Sequence, residues 1–238
     1  MLLDELFLNT ANRLPDKTAI VRGDLRVTYS ELRTRSISIS AFLQGCGLMR
    51  GDRVVIALEN SIEYLIAYFG VQHAGGIVVA VNPDIKPRGL HKIAADCKPS
   101  GIIIRSDFLW SLEASRERYP FKFIVLHGER KTEGAENMPI YPFDECCKYE
   151  GNVDSIGRTE TDIASIIYTS GTTGEPKGVM LSHKNLEANT NSIVNYLSLS
   201  ENDSIMVVLP FHYSYGNSLL LTHIMQGGTL VVDNRFMY

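Results

Sequence analysis

Apolar and polar residues change their spacing repeatedly along this chain of 238 residues. Short apolar runs such as 52–60 and 101–105 are typical of buried strands, whereas stretches such as 61–75 carry apolar residues at the three- and four-residue spacing of amphipathic helices. Strand and helix patterns alternate along most of the chain. This alternation predicts an α/β fold with mainly parallel sheets and helices on both faces.

Local signals place the predicted elements more closely. Residues 1–14 have the pattern of a short amphipathic helix, and Gly23-Asp24 between 18–21 and 25–29 predicts a hairpin. The stretch Thr28 to Glu31 fits a capping box that opens a helix ending near Gln44. The other predicted helices span 61–75, 87–97, 108–119, 184–197 and 218–225. The other predicted strands span 52–60, 76–82, 101–105, 121–128, 162–170, 204–210 and 229–233.

The periodicity is lost between about 129 and 157. Residues 129–139 are polar, and the following stretch keeps neither a helical nor a strand period. We expect a surface loop or a seam between subdomains near 129–160.

Composition and charge exclude several classes of function. The net charge is −4 and no Lys/Arg run stands out, which argues against nucleic acid as a partner. The four cysteines show neither metal-ligand spacing nor a C-x-x-C motif, so no metal site is predicted and reduced thiols are expected. Asp4 and Glu5 lie where a signal peptide would carry positive charge, and the apolar runs are too short to span a bilayer. The sequence therefore predicts a soluble, cytoplasmic protein.

The stretch YTSGTTGEPKGVMLSH, residues 168–183, carries the strongest chemical signal. It follows an apolar strand pattern and combines backbone freedom at Gly171, Gly174 and Gly178 with hydroxyl groups at Thr169, Ser170, Thr172 and Thr173. Lys177 is the nearest cation. Backbone N–H groups, hydroxyls and a lysine on a loop after a strand can hold phosphate. The spacing fits neither a Walker loop nor a dinucleotide fingerprint, and a flexible linker is the alternative on composition alone.

These residues closely resemble the signature loop of the adenylate-forming superfamily, which includes acyl-CoA synthetases, adenylation domains of peptide synthetases, and luciferases. Three further stretches resemble motifs of the same family in the same order. They are VTYSEL at 27–32, HAGGIVVAVNP at 73–83 and LPFHYSYG at 209–216. The resemblance thus covers essentially the whole chain and implies the large N-terminal domain of such an enzyme.

The resemblance implies an ATP-dependent ligase. Members of the family join a carboxylic acid to AMP with Mg²⁺ and ATP, and most then pass the acyl group to a thiol, often that of coenzyme A. By this likeness, residues 169–177 would hold the β- and γ-phosphates. Thr172 and Lys177 would act in catalysis, and Thr169, Ser170, Gly171, Thr173 and Gly174 would complete the loop.

The stretch 209–216 resembles the segment that lines the acyl pocket. Many acyl-CoA synthetases carry a histidine at the position of Tyr213, whereas here His212 lies one residue earlier. Either residue could face the substrate carboxylate, and Gly216 closes the motif. Amino-acid-activating relatives carry an aspartate in this stretch, and residues 211–214 contain no carboxylate. A buried ammonium without a counter-charge is costly, which favours a fatty, aryl or other acid without an α-amino group.

Family members are roughly twice as long as this chain, and their adenine, ribose and C-terminal lysine segments are not recognised here. We therefore expect residues 1–238 to be an incomplete large domain, inactive by itself, with the C-terminal domain absent. The sequence leaves three alternatives open: a stand-alone NTPase, a degenerate non-catalytic homologue that acts as a binding module, and an amino-acid-activating adenylation domain.

Overall fold

The computed structural model describes residues 1–109, 112, 121–129, 139–170 and 176–234, the side chain of Ser170 excepted. The helices are α1 (Leu3–Arg13), α2 (Tyr29–Gly45), α3 (Ile62–His73), α4 (Pro87–Cys97), α5 (Phe143–Cys146), α6 (His183–Leu197) and α7 (Ser214–Gln226). The strands are β1 (Thr18–Arg22), β2 (Leu25–Thr28), β3 (Arg53–Ala57), β4 (Ile77–Ala80), β5 (Gly101–Arg105), β6 (Phe123–His127), β7 (Ile140–Pro142), β8 (Ile163–Ser170), β9 (Pro176–Ser182), β10 (Ser204–Val207) and β11 (Thr229–Val232).

The larger sheet has seven strands in the order β7-β6-β5-β3-β4-β8-β9. All neighbours in it are parallel except β8 and β9, which run antiparallel. Alternate residues of β3 enter two different cores: Val54 and Ile56 belong to one cluster, Val55 and Ala57 to the other. Because successive side chains of a strand point to opposite faces, this sheet is buried on both sides. The predicted α/β class with mainly parallel strands is confirmed.

The smaller sheet joins the two ends of the chain. Its order is β10-β11-β1-β2, with β1 and β2 antiparallel and the other pairs parallel. The predicted hairpin around Gly23 is therefore present, and Gly23 adopts a positive φ of 59°. Among the described residues, β10 and β2 form the edges of this sheet.

The predicted capping box at the start of α2 is also confirmed. Glu31 N–H donates to Thr28 Oγ1 at 3.2 Å, and Thr28 N–H donates to Glu31 Oε2 at 2.8 Å. These two bonds satisfy amide groups that have no partner within the helix. Ser182 and Asn185 make the same reciprocal contacts at the start of α6.

A buried ion pair anchors α1 to the rest of the chain. Asp4, only 1% exposed, accepts two hydrogen bonds of 2.8 Å from the guanidinium of Arg158, and its Oδ2 lies 3.0 Å from His73 Nδ1. Burial opposes the charge of Asp4, but the bonds with His73 and Arg158 outweigh it and lower the pKa to about 2. Close by, Leu3 N–H donates to His183 Nδ1 at 3.1 Å. The first helix is thus fixed against α3 and α6.

Some predicted boundaries differ from the structure. The stretch predicted as a loop contains β7 and α5, whose Phe143 and Cys146 are buried in the core. Both elements are too short to show a period in the sequence. The strand β9, which follows the glycine-rich loop, was not predicted, and α7 begins at Ser214 rather than 218. Most of the helix predicted over 108–119 lies outside the described residues, with only a short 3₁₀ turn, Ser106–Phe108, at its start. No helix in the described ranges is both long and apolar enough to cross a membrane.

Candidate functional site

A cavity of about 640 Å³ opens beyond the carboxyl ends of β4 and β8. These two strands are parallel neighbours, so their ends lie side by side. The first half of α4, the start of β9 and two residues that precede α7 complete the wall. Ligands of open α/β sheets bind beyond the carboxyl ends of the strands, which makes this cavity the natural place for a functional site.

The two strands on either side of the glycine-rich loop pair as a hairpin beside this cavity. In the antiparallel pair of β8 and β9, Thr169 lies opposite Lys177 and Ser170 lies opposite Pro176. Thr169 and Pro176 line the cavity, and Lys177 is exposed. Directly opposite residues project from the same face of a sheet. The predicted loop residues Gly171, Thr172, Thr173 and Gly174 lie outside the described residues, and the hairpin register brings both flanks of that loop together.

A tyrosine ties the strand end to α4. The hydroxyl of Tyr168 donates to Asp96 Oδ2, and burial raises the pKa of Tyr168 far above its ordinary value. Opposite Tyr168 lies Gly178, where a Cβ would be 2.9 Å from the Ile166 side chain and 3.1 Å from the tyrosine ring. A glycine at this position therefore lets the Tyr168 ring lie close against β9.

His212 lies in the cavity wall and is almost fully buried, with 7% of its surface exposed. Its Nε2 atom is buried and has no hydrogen-bond partner in the described part of the chain. Burial lowers the pKa of His212 to about 4, so the imidazole is neutral at pH 7. An unpartnered buried nitrogen is costly, so this atom is a candidate to bind a ligand.

Tyr213, the second residue considered for the carboxylate, is placed differently. It is 51% exposed, and its ring centroid lies 4.3 Å from that of His212. Both residues also line a second cavity of about 510 Å³ on the side of β3 and β11. His212 and Tyr213 therefore lie between the two cavities. The imidazole of His212 is buried, and the phenol of Tyr213 is at the surface.

Gly216 is required by the turn that carries these two residues. A Cβ at this position would lie 2.0 Å from the carbonyl oxygen of Pro210, which no side-chain rotation could relieve. The close approach allows Tyr213 N–H to donate to the Pro210 carbonyl at 3.1 Å. The predicted substrate residues His212, Tyr213 and Gly216 thus belong to one tight turn.

The start of α4 adds positive charge that no sequence motif indicates. Lys86 is the N-cap residue, Arg88 follows in the first turn, and Lys92 lies one turn later; all three line the larger cavity. The first turn contains no acidic residue. Because the N-terminus of a helix is already electropositive, cations there are unfavourable unless an anion binds. In the sequence, these cations appear only as a lysine followed by PRG. That pattern predicts a helix start and does not indicate a binding site.

The acidic residues of the second cavity already have partners. Arg105 bonds to Glu59 at 2.5 Å and lies 3.3 Å from Asp84. Arg22 lies 4.0 Å from Glu59. Within the described ranges, no group of His, Cys, Asp and Glu side chains is suited to hold a metal ion. The exposed cations that the structure describes beside the larger cavity are Lys86 and Arg88 at the start of α4 and Lys177 on β9.

A Gly/Thr-rich hairpin and an electropositive helix start at the carboxyl edge of a parallel sheet are the arrangement of a phosphate-binding α/β protein. The family model for the AMP-binding enzyme matches residues 7–237. The chain belongs to this family of adenylate-forming ligases.

Relatives and solved structures agree with this assignment. The chain is 31% identical to a long-chain-fatty-acid–CoA ligase of Bacillus subtilis (strain 168), over 95% of this chain and 45% of the relative. The structure of the anthranilate CoA ligase AuaEII in complex with anthranoyl-AMP has a TM-score of 0.89 at 25% identity, covering 98% of this chain and 45% of that chain. ATP-bound MatB from Rhodopseudomonas palustris has a TM-score of 0.84 at 26% identity, and the match covers 100% of this chain and 46% of that chain. The chain thus spans about half the length of these proteins.

Proposed function

We propose that this chain is the N-terminal part of an ATP-dependent carboxylic acid:thiol ligase, which we refer to below as the full-length ligase. The observation that carries the proposal is the position of the hairpin: the flanks of the glycine-rich loop meet at Thr169 and Lys177, beside a cavity that also contains the buried imidazole of His212. The phosphate-binding site and the acid-binding site would then lie next to each other. This proximity is required for a reaction between an acid and a nucleotide.

In the first step, a carboxylate oxygen of the acid forms a bond to the α-phosphorus of ATP, and the bond from that phosphorus to the bridging oxygen breaks. Pyrophosphate leaves with the electron pair. Both reactants are anions, so the negative charge that develops on the leaving group must be neutralised. Lys177 supplies one positive charge, and the hydroxyl and backbone N–H groups of 169–174 supply hydrogen bonds. Mg²⁺, held by the phosphates of ATP, would supply the further positive charge.

His212 is suited to hold the acid. Its imidazole is neutral at pH 7 because the pKa is lowered to about 4, so binding a carboxylate beside it needs no change in protonation. With the proton on Nε2, the buried nitrogen that now lacks a partner would donate to a carboxylate oxygen. Residues 211–214 contain no carboxylate to receive an ammonium, which favours acids without an α-amino group.

In the second step, a thiol sulfur attacks the acyl carbon, the carbon–oxygen bond to AMP breaks, and the thiol proton is released. The charge distribution of the larger cavity favours a thiol that carries phosphate, such as coenzyme A. Its inner wall is mainly apolar, with Ala80, Val81 and Ile93, whereas Lys86 and Arg88 stand at its exposed rim. A phosphate-bearing arm would place its negative charge next to these two cations.

A panel of acids tests the proposal in the full-length ligase. We expect pyrophosphate release that depends on one class of acid, and thioester formation only when coenzyme A is added. Phosphate release from ATP without any acid would contradict the proposal and would favour a simple NTPase.

The described cysteines are all free, in keeping with the reducing cytoplasm that we propose as the site of action.

A further inference from the structure

The side-chain amide of Asn60 binds the turn that carries His212 from both sides. Asn60 Nδ2 donates to the carbonyl oxygen of Leu209 at 2.9 Å, and Phe211 N–H donates to Asn60 Oδ1 at 2.8 Å. One amide group therefore satisfies an acceptor and a donor that flank Pro210, a residue without an N–H of its own. Residues 209–211 follow the end of β10 and are not paired with a strand. Asn60 makes the hydrogen bonds that a neighbouring strand would otherwise make.

These two bonds determine which side chain enters the core. Phe211 is 1% exposed, and its ring centroid lies 5.2 Å from that of Tyr64 on α3. His212, the next residue, consequently turns toward the two cavities. If the backbone of 209–211 were free to rotate, the imidazole could leave the cavity wall for water, since its burial carries a desolvation cost.

Asn60 is itself held in a rigid position. It lies between the end of β3 and Ser61, whose Oγ accepts a hydrogen bond from Tyr64 N–H at 3.1 Å at the start of α3. From the smaller sheet, Asn234 Nδ2 donates to the Asn60 carbonyl at 3.0 Å and to Glu59 Oε2 at 3.1 Å. The backbone of Asn60 thus lies between the end of β3 and the start of α3, with a hydrogen bond from Asn234 to its carbonyl.

We propose that Asn60 is a positioning residue for acid activation: it holds the backbone of Leu209 and Phe211 so that the Nε2 atom of His212 faces the bound carboxylate. The role in catalysis rests on the proposed function. The placement of His212 by Asn60 does not, and it can be measured in the 238-residue chain alone.

The first experiment follows the His212 imidazole by NMR titration in the wild-type chain, in Asn60→Ala and in Asn234→Ala. The last variant disturbs the same junction and leaves both bonds to the turn intact. We expect a pKa of about 4 in the wild type and in Asn234→Ala, and a shift upward toward the ordinary 6.5 in Asn60→Ala. A folded Asn60→Ala chain in which the His212 pKa stays unchanged would overturn the proposal.

A second measurement does not depend on the folding of the variant. In the wild-type chain, the amide hydrogen of Phe211 should exchange slowly with solvent, because Asn60 Oδ1 accepts it. The amide of Tyr213 in the same turn, which donates to the Pro210 carbonyl, serves as the internal reference. Exchange of the Phe211 amide at the rate of an unstructured peptide would show that the bond is not maintained and would reject the proposal.

The third experiment tests the catalytic role in the full-length ligase. We expect Asn60→Ala to lower kcat/KM for the acid by roughly 10- to 100-fold, since a misplacement of about 1 Å can have that effect, and to leave the KM for ATP unchanged. Asn60→Asp keeps an acceptor for Phe211 N–H and should recover part of the loss. An equal loss in Asn234→Ala would indicate a merely structural role. If the wild-type ligase showed no acid-dependent reaction at all, the proposed function would fail while the NMR result on His212 would stand.

Discussion

The chemistry of His212 follows from the conformation of a few neighbouring residues. Phe211 fills the core and Gly216 allows the turn to close on the Pro210 carbonyl, so the intervening imidazole is buried at the cavity wall. Burial without a charged partner favours the neutral ring. As a result, a residue that would be half-protonated near pH 6.5 in water remains a neutral hydrogen-bonding group throughout the physiological range.

Gly216→Ala tests this arrangement. The added Cβ would clash with the Pro210 carbonyl, and backbone must shift to relieve it. We expect a loss of about 1–3 kcal/mol in the free energy of unfolding and a fall in acid-dependent activity of the full-length ligase. Gly157→Ala is the matched control, because nothing lies within 4 Å of the Cβ it would add. Denaturant unfolding of both variants measures the effect, and equal stabilities would contradict the account.

The residues of the site differ in how far the sequence could reveal them. His212, Tyr213 and Lys177 lie in continuous motifs, so the sequence alone predicts that they lie near a ligand. Asn60 could not be predicted in this way, because its partners Leu209 and Phe211 are 149 and 151 residues away along the chain. Periodicity and local motifs carry no information about contacts at that separation. The ordinary stretch LEN gives no sign that its asparagine supports a distant turn.

At the scale of elements, α4 is notable because its start contradicts the usual placement of charge. Helices normally carry acidic residues in the first turn, whereas α4 carries Lys86 and Arg88. Both side chains are exposed, and both line the larger cavity. The arrangement is understandable if α4 receives an anionic ligand, as we propose for the phosphates of the thiol substrate.

The double variant Lys86→Gln/Arg88→Gln measures this role of α4 in the full-length ligase. Two exposed charge contacts of about 0.5–1 kcal/mol each predict a rise in the KM for coenzyme A of roughly 5- to 30-fold. Pyrophosphate exchange, which needs no thiol, should stay unchanged. A control with Arg26→Gln and Lys148→Gln removes the same charge from exposed residues that do not line this cavity. Reduced exchange in the α4 variant, or an equal rise in KM in the control, would refute the assignment.

The hairpin of β8 and β9 shows where pattern analysis is effective and where it fails. Residues 164–167 are buried and, apart from Ser165, apolar, and the sequence predicts this run correctly as a strand. β9 lies at the sheet edge, and its Val179 and Met180 are both largely exposed. Without a buried face, an edge strand has no alternation to detect. The fold class could therefore be predicted, and the antiparallel strand that follows the glycine-rich loop could not.

At the scale of the whole molecule, the first helix makes the structure sensitive to acid. His183 Nδ1 accepts the Leu3 amide and must be unprotonated to do so, and burial lowers the pKa of His183. A lowered pKa contributes stability that is complete above the unfolded value of about 6.5 and is lost as the pH falls through the folded value. Asp4, with its pKa lowered to about 2, adds stability that is lost only below about pH 4.

His183→Gln tests this sensitivity. We expect the variant to lower the free energy of unfolding by about 1–3 kcal/mol at pH 7.5, because the terminal amide of glutamine corresponds in position to Nε2 rather than Nδ1 and the Leu3 amide loses its acceptor. The difference from the wild type should shrink at pH 5, because below about pH 6.5 the unfolded wild-type chain takes up a proton on His183 that the variant cannot bind, which lowers the stability of the wild type alone. Denaturant unfolding at both pH values measures the two differences. A difference that is the same at both would contradict the role assigned to His183.

The extent of the chain leads to a prediction about ligand binding. It covers 45% of the Bacillus subtilis ligase, and the family's adenine and ribose segments are not recognised in its sequence. We therefore expect residues 1–238 alone to bind ATP weakly or not at all, because the loop would contact only the phosphates. Calorimetric titration measures this, and a micromolar affinity would be inconsistent with the account.

The central claim is that the hairpin flanked by Thr169 and Lys177 holds the polyphosphate of ATP while an acid attacks. Acid-dependent exchange of labelled pyrophosphate into ATP by the full-length ligase tests it most directly, because the exchange requires that grip and no thiol. We predict that Lys177→Ala and Thr172→Ala each reduce the exchange by about 100-fold or more, as the loss of a group that stabilises developing charge does. Lys184→Ala, which removes a nearby exposed lysine paired with Glu160, should exchange like the wild type. Wild-type exchange in Lys177→Ala and Thr172→Ala would contradict the account.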